Sequence, residues 1–381
     1  MCSKILIIRS TSIIKDSRTI KYINEFLDLG YQVEVLGWDR KNEYDPLYKY
    51  CYNGKEANIY YFKEEAPYGV GIKNIPKFIK FKNWLKKQIK ARDDNYIIHA
   101  CDYDVASTAI KYKKNKKFVY DIFDYFAESR KLPNILKSYF KRKENAIINK
   151  ADAVVICTEQ RKQQIAAAKP KKIYIIHNTP NISLERFEFN LKSNEKGKIK
   201  VAYVGVLGES RLLKELLGEI KNYPQVELHI GGVGLYEEDV KKAEKELTNV
   251  FYYGSMPYED VLKLESKCDI LFATYDPRIP NHRYSAPNKF YEAAALSKPI
   301  IVCKNTGVDE AVEKYKMGMA INYDAKMFFD TIVKIGNDKN AMIKYGENGK
   351  DAYDKYFSWQ KMKEEIKKLL KYIEELWKEF W

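Results

Sequence analysis

The 381-residue chain lacks any run of roughly eighteen uncharged apolar residues, so no stretch of it suits a helix crossing a bilayer. Its first apolar run, Ile5–Ile8, stops at Arg9 and is too short for a secretory leader; it reads as a first strand. The six cysteines (Cys2, Cys51, Cys101, Cys157, Cys268, Cys303) include no C-x-x-C pair, which argues against a zinc site or a disulfide framework. Cys157 and Cys303 sit in or beside strand-like runs, where cysteine acts as a small buried hydrophobe. Short repeats and a low-complexity tail are also missing, which excludes a solenoid or a disordered arm. With no leader the expectation is a cytoplasmic protein.

Apolar residues make up 45% of the chain and aromatics 14%, enough for packed interiors, and the length suits two domains. The net charge of +15 is unevenly spread. Residues 1–200 hold 40 Lys and Arg against 23 Asp and Glu, whereas residues 201–381 hold 27 against 29. The first half therefore faces something acidic: nucleic acid, anionic lipid or a diphosphate-bearing substrate. No nucleic-acid recognition module is visible, and nucleic acid is set aside.

Short apolar runs alternate with helical patterns. KILII, YQVEVLGW, NYIIHA, KFVYDIF, ADAVVICT and KIYIIHN form one series; KIKVAYVGVL, VELHIGG, VFYYGS, DILFATY, PIIVC and GMAINY form another. Runs of this length spaced by helices predict parallel sheets covered on both faces. The polar stretch at 190–197 marks the expected boundary. This gives an N-terminal Rossmann-like domain over 1–190, a second over 191–355, and an amphipathic helix over 356–381 packing back on the first. Ligands of such sheets bind beyond the carboxyl ends of the strands.

The stretch SAPNKFYEAAALSKPIIV at 285–302 carries chemistry. Ser285 suits a cap and Pro287 a first helical turn. The amides of Ala286, Asn288 and Lys289 then face outward, where a helix start favours an anion by roughly 0.3–2 kcal/mol. Lys289 adds a full charge, and Glu292 is an acceptor suited to ribose hydroxyls. The plainer alternative is an i,i+3 ion pair worth roughly 0.2–0.5 kcal/mol.

P-N-K-F-Y-E-A-A-A-L-S-K-P-I-I-V resembles the donor-site helix of GT-B glycosyltransferases, in the large retaining glycosyltransferase family 4 (group 1) and its P-x-K-x-x-E subgroup of bacterial surface-polysaccharide enzymes. VAYVGVLGESRLLKELL, HIGGVG and TGVDEAVEKYKMGMAI are similar to further segments of that family. The resemblance implies two Rossmann-like parallel-sheet domains facing a cleft. It implies a nucleotide-sugar donor, UDP-sugar first and GDP-sugar as the alternative, held by the C-terminal domain. Glu292 would bind the ribose. Arg211, Lys289 and the amides of Ser285, Ala286, Pro287 and Asn288 (proline excepted as donor) would surround the diphosphate. Arginine's planar fork fits phosphate oxygens. The base would lie near Tyr253–Met256, and Gly205 and Gly208 would admit the donor close to the backbone.

The chain departs from the family twice. Tyr284 stands where the E-x7-E pattern has its first glutamate, which leaves Asn281, His282 or Arg283 to contact the sugar. Phe123 stands where many relatives carry a histidine, flanked by Asp121 and Asp124 as alternative catalytic carboxylates or as structural caps. Asp16 and Arg18 match a D-x-R at the first helix, suited to donor or acceptor phosphates; alternatively Asp16 caps and Arg18 pairs with Glu25 or Asp28. Asp102 and Asp104 form a D-x-D, the metal-diphosphate signature of the other, single-domain glycosyltransferase architecture. The GT-B resemblance implies no metal.

VGIKNIPKFIKFKNWLKKQIKARDD joins Ile, Phe and Trp to eight basic residues, and KLPNILKSYFKRK adds more. Such segments suit an anionic membrane face at roughly 1 kcal/mol per well-placed charge. The resemblance implies a retaining glycosyltransferase of surface polysaccharide assembly. It would act on a polyprenyl-diphosphate-linked saccharide, peripheral to the inner face of the cell membrane. A nucleotide-sugar 2-epimerase of the same architecture, or an inactive nucleotide-sugar-binding partner subunit, is the alternative.

Overall fold

A computed structural model describes residues 4–67, 71–130, 132–182, 188–193 and 195–378. They form two compact units, residues 1–176 with 363–381, and residues 177–362.

In the first unit the strands are β1 (Lys4–Ile8), β2 (Gln32–Asp39), β3 (Leu47–Tyr52), β4 (Lys55–Lys63), β5 (Tyr96–Cys101), β6 (Lys117–Ile122), β7 (Ala153–Ile156) and β8 (Ile173–Ile175). They lie in the order β3-β4-β2-β1-β5-β6-β7-β8, parallel except for β3 against β4. That edge hairpin is absent from the sequence reading, although its turn signal was there. Asn53 and Gly54, at φ 47° and 72°, join Tyr52 to its partner Lys55 by the two-residue turn that favours Asn-Gly. β5 and β6 are buried along their whole length, as a sheet covered on both faces requires. Trp38 anchors this core, stacked 4.8 Å from Phe81 with its indole N–H donating to Glu64 O at 2.9 Å.

The helix Trp359–Lys378 runs into the first unit. Tyr31 donates to Glu374 at 2.7 Å, Lys117 to the carbonyl of Leu376 at 2.9 Å, and Lys363 pairs with Glu25 at 3.0 Å.

The second unit has β9 (Ile199–Val204), β10 (Val226–Gly231), β11 (Val250–Tyr252), β12 (Ile270–Ala273), β13 (Ile300–Cys303) and β14 (Gly318–Ile321), all parallel in the order β11-β10-β9-β12-β13-β14. Alternation along β9 feeds two cores. Val201 and Tyr203 join Leu228, Ile230 and Phe272 on one face, while Ala202 and Val204 join Leu271, Ala273 and Val302 on the other. The unit begins at His177, earlier than the expected boundary, and Lys192 and Ser193 are tied into it. Lys192 N donates to Tyr253 Oη at 3.0 Å, and Ser193 Oγ to Glu227 at 2.6 Å.

Cys101, Cys157, Cys268 and Cys303 are buried and Cys51 is exposed; Cys2 lies outside the described residues. Among the described residues no helix is long and apolar enough to cross a membrane.

Each sheet reverses its winding once, between β1 and β5 in the first and between β9 and β12 in the second. Such reversal points, at the carboxyl ends of the strands, open the crevices where ligands bind. In the second unit glycine shapes this end. Gly232, at φ 114°, would place a Cβ 1.8 Å from Gly205 O, so the loop after β10 can pack on the loop after β9 only without a side chain. Gly232→Ala is therefore expected to destabilise the second unit by about 3 kcal/mol, read as a lowered denaturant midpoint.

Candidate active site

The loop after β9 ends in a short 3-10 turn, Glu209–Arg211, that brings Arg211 beside the residues following β12. The Arg211 guanidinium lies over the Tyr275 ring at 3.8 Å, where the ring face attracts the cation. Its Nη1 donates to Ser210 Oγ at 2.8 Å and lies 3.5 Å from His282 Nε2. Thr274 Oγ1 donates to the Arg211 carbonyl at 2.7 Å, pinning the backbone. His282 is fixed in turn through Nδ1, 2.9 Å from Asp276 O. The cation is thus held at the winding reversal itself, with its fork partly exposed.

Lys289 approaches from the helix Asn288–Ala295. Burial pushes the Tyr203 phenol, at the end of β9, up to about 12. The ammonium pairs with Glu292 on its own helix and lies 2.8 Å from Glu265 Oε1, on the helix Tyr258–Lys267. Glu265 and Glu292 are fully buried and Lys289 is 8% exposed. Burial would lower the lysine's affinity for its proton, but Glu265 and Glu292 outweigh it and hold Lys289 above its ordinary range. For Glu265 burial dominates and drives the carboxyl upward, even against Lys289.

No side chain caps the 288–295 helix; Pro287 occupies the cap position. Ser285 Oγ donates instead to Thr306 O at 3.3 Å, and Asn288 Oδ1 accepts from Asn178 at 2.6 Å. Gly307, at φ 80°, lets the next loop close on this one, since a Cβ there would meet Arg283 O at 2.3 Å.

In the first unit, Arg9 follows β1 at the reversal point. Its Nε donates to Asp16 at 3.0 Å and its Nη1 pairs with Asp102, the residue after β5. Asp102 also accepts the amides of Phe123 at 2.9 Å and Asp124 at 3.0 Å, fixing the loop after β6. Arg18 donates to Asp121 at 2.8 Å, and His99 Nε2 lies 3.1 Å from the other Asp121 oxygen. Burial alone would raise the Asp121 carboxyl; Arg18 and His99 prevail and hold it below the usual carboxylate range. The Phe123 ring is sandwiched, with Arg9 at 4.2 Å and Arg18 at 3.9 Å from its centroid.

The chain matches two family models: glycosyltransferase family 4 over residues 18–183, and glycosyl transferases group 1 over residues 185–352. It is 21% identical to an uncharacterized glycosyltransferase of Methanocaldococcus jannaschii, covering 89% of this chain and 96% of that one. The chain is a group 1 glycosyltransferase. Its fold is similar to that of sucrose-phosphate synthase from Thermosynechococcus elongatus, with a TM-score of 0.77 at 14% identity over 97% of this chain and 98% of that chain. It is also similar to Anabaena HepE in complex with UDP, with a TM-score of 0.69 at 15% identity over 97% and 99%. These likenesses give the GT-B fold.

Among the residues singled out from the sequence of this glycosyltransferase, Arg211 sits on the Tyr275 ring, while Lys289 lies between Glu292 and Glu265. Glu292 joins Lys289, but its carboxylate is turned onto the ammonium and buried. Ser285 is not the helix cap. Tyr253 and Met256 flank the glycine loops. Tyr253 Oη lies 2.9 Å from His229 Nδ1, and a Cβ on Gly231 would meet Met256 Sδ at 3.1 Å. A Cβ on Gly208 would meet nothing closer than Val206 Cγ1 at 3.8 Å, whereas one on Gly205 would press the Tyr203 hydroxyl at 3.2 Å.

In the first unit Asp16 caps the helix Ser17–Asp28, accepting from Thr19 N at 3.1 Å. Arg18 is 6% exposed and pairs with Asp121, not with Glu25 or Asp28. Asp121 cannot serve as the catalytic carboxylate the sequence offered: it is fully buried and its charge is spent on Arg18. Asp124 is the exposed member of that pair. Both D-x-D carboxylates meet arginine, Asp102 with Arg9 and Asp104 with Arg130 at 3.3 Å. The sequence reading missed Arg9 and Glu265. Arg9 had a signal, being the first residue after the first strand; Glu265 had none.

Proposed function

We propose that this glycosyltransferase moves a sugar from a UDP-sugar, or alternatively a GDP-sugar, to a lipid-linked saccharide in surface polysaccharide assembly, with retention. The observation that carries this reading is the Arg211 guanidinium, held over the Tyr275 ring at the winding reversal between β9 and β12. As the glycosidic bond loosens, charge gathers on the outer phosphate oxygen of the donor. Arg211, Lys289 and the amides of Asn288 and Lys289 stabilise that charge without reorganising. Two of the fold's neighbours support a uridine diphosphate donor, since the HepE structures hold UDP and UDP with glucose. Attack on the same face of the sugar gives retention without a protein nucleophile. The D-x-D carboxylates, each occupied by an arginine, have no part in holding a cation for the donor.

The first unit takes the acceptor and rests on anionic lipid. Ile135, Leu136 and Tyr139 are exposed on the helix Asn134–Lys150, next to Lys137, Lys141, Arg142 and Lys143. Ile75 and Ile79 are exposed on the helix Ile75–Lys90, which carries Lys77, Lys80, Lys82, Lys86, Lys87 and Lys90. Exposed aliphatic side chains among lysines fit the boundary between headgroups and acyl chains.

Purified protein, a panel of nucleotide sugars and a polyprenyl-diphosphate-saccharide fraction test the reading. Transfer is expected from one donor class, with the anomeric configuration kept and activity retained in EDTA. Hydrolysis or epimerisation without transfer, or transfer abolished by EDTA and restored by a divalent ion, would contradict it. Changing Lys77, Lys86, Lys87 and Lys90 to Gln is expected to release the protein from vesicles of anionic lipid, at roughly 1 kcal/mol per charge removed. Unchanged co-sedimentation would sink the membrane role while leaving the donor site untouched.

A further inference from the structure

Lys289 is gripped from two helices, and the second grip has no place in the donor-site motif. Glu292 lies one turn along the same helix, so by itself it is an i,i+3 partner that moves with the lysine's own backbone. Glu265 comes from the helix Tyr258–Lys267 and places Oε1 2.8 Å from Nζ. Two buried carboxylates therefore share one ammonium, one negative charge more than the lysine balances. Glu292 also faces the Tyr258 hydroxyl, whose proton burial and that carboxylate hold in place. A second buried carboxylate on one ammonium is unfavourable unless something else rewards it. A core built for stability alone would have paired Lys289 with one glutamate and filled the second position with an apolar side chain.

We propose that Glu265 is a positioning residue of the donor site, which draws the flexible Lys289 side chain across from Glu292 and holds its ammonium where a diphosphate oxygen arrives. This rests on the reading of Lys289 as a diphosphate ligand. With Glu265 absent, Lys289 folds back onto Glu292 as an ordinary intrahelical pair and the phosphate contact weakens.

Calorimetric titration of the full-length protein with UDP and uridine, and in parallel GDP and guanosine, separates phosphate contacts from base and ribose contacts. Glu265→Ala is expected to weaken the preferred diphosphate about tenfold and leave its nucleoside unchanged, whereas Glu265→Gln, which keeps an oxygen for Nζ, recovers most of the loss. Diphosphate and nucleoside weakening together, an unchanged diphosphate, or no recovery in Glu265→Gln would overturn the positioning role. Lys289→Met tests the underlying reading separately. If the wild type does not prefer a diphosphate over its nucleoside, or Lys289→Met keeps that preference, the donor assignment itself is wrong whatever Glu265 does.

Discussion

Arg18→Ala is expected to destabilise the first unit by about 3–5 kcal/mol, the penalty for stranding one partner of a buried pair. Asp121 has no exposed surface, and among the described residues Arg18 is the one full positive charge within ion-pair distance of it. The loss should exceed that of Arg18→Met combined with Asp121→Asn, since the double change removes both charges together. The pH dependence should change sign. In the wild type the Asp121 carboxyl is held below its unfolded value, so its contribution is present above about pH 3.9 and lost as the pH falls through the folded value. Without Arg18, burial acts with only His99 and the Tyr22 hydroxyl against it and raises the carboxyl. The folded state then holds the proton longer than the unfolded state, and stability falls as pH rises from about 4. Urea midpoints of both proteins between pH 4 and pH 7 measure this. Parallel curves would mean that Asp121 is not paired as described.

Arg211→Ala is expected to lower kcat by about 10²–10³, the usual loss when one preorganised donor to a developing charge is removed. Donor KM should move much less, because the charge on the departing diphosphate is larger in the transition state than in the bound donor. Arg211→Lys should recover little, since a lysine reproduces neither the stack on Tyr275 nor the bond to Ser210. The 3-10 turn that carries Arg211 is held by backbone contacts, so the variant should fold. A drop confined to KM would place Arg211 in ground-state binding alone.

Both sheets were legible because each strand is a short apolar run between helical patterns, and burial on both faces makes such runs nearly continuous. The β3–β4 hairpin was legible in principle: Asn53-Gly54 between alternating residues signals it, but tyrosines and lysines on an exposed edge do not look like a strand. The compact second unit starts at His177, ahead of the polar stretch, and Lys192 and Ser193, polar as linker residues are, bond Tyr253 and Glu227 within it. In the site, Arg211 stood out only through the family resemblance, and Lys289 through its place at a helix start. Glu265 did not, since its pairing with Lys289 spans 24 residues and depends on two helices meeting across β12. Asp121 was misjudged for the same reason: a strand-end aspartate looks alike whether a buried arginine 103 residues away meets it or not.

The central claim is that the second unit grips a nucleoside diphosphate through Arg211 and Lys289. Its most direct measurement is the thermal shift of the wild type and of Arg211→Ala with UDP, GDP and CMP and with uridine, guanosine and cytidine. One diphosphate should stabilise the wild type by several degrees more than its nucleoside, with that gap largely lost in Arg211→Ala. Equal shifts for diphosphate and nucleoside, or a gap that survives Arg211→Ala intact, would contradict the account.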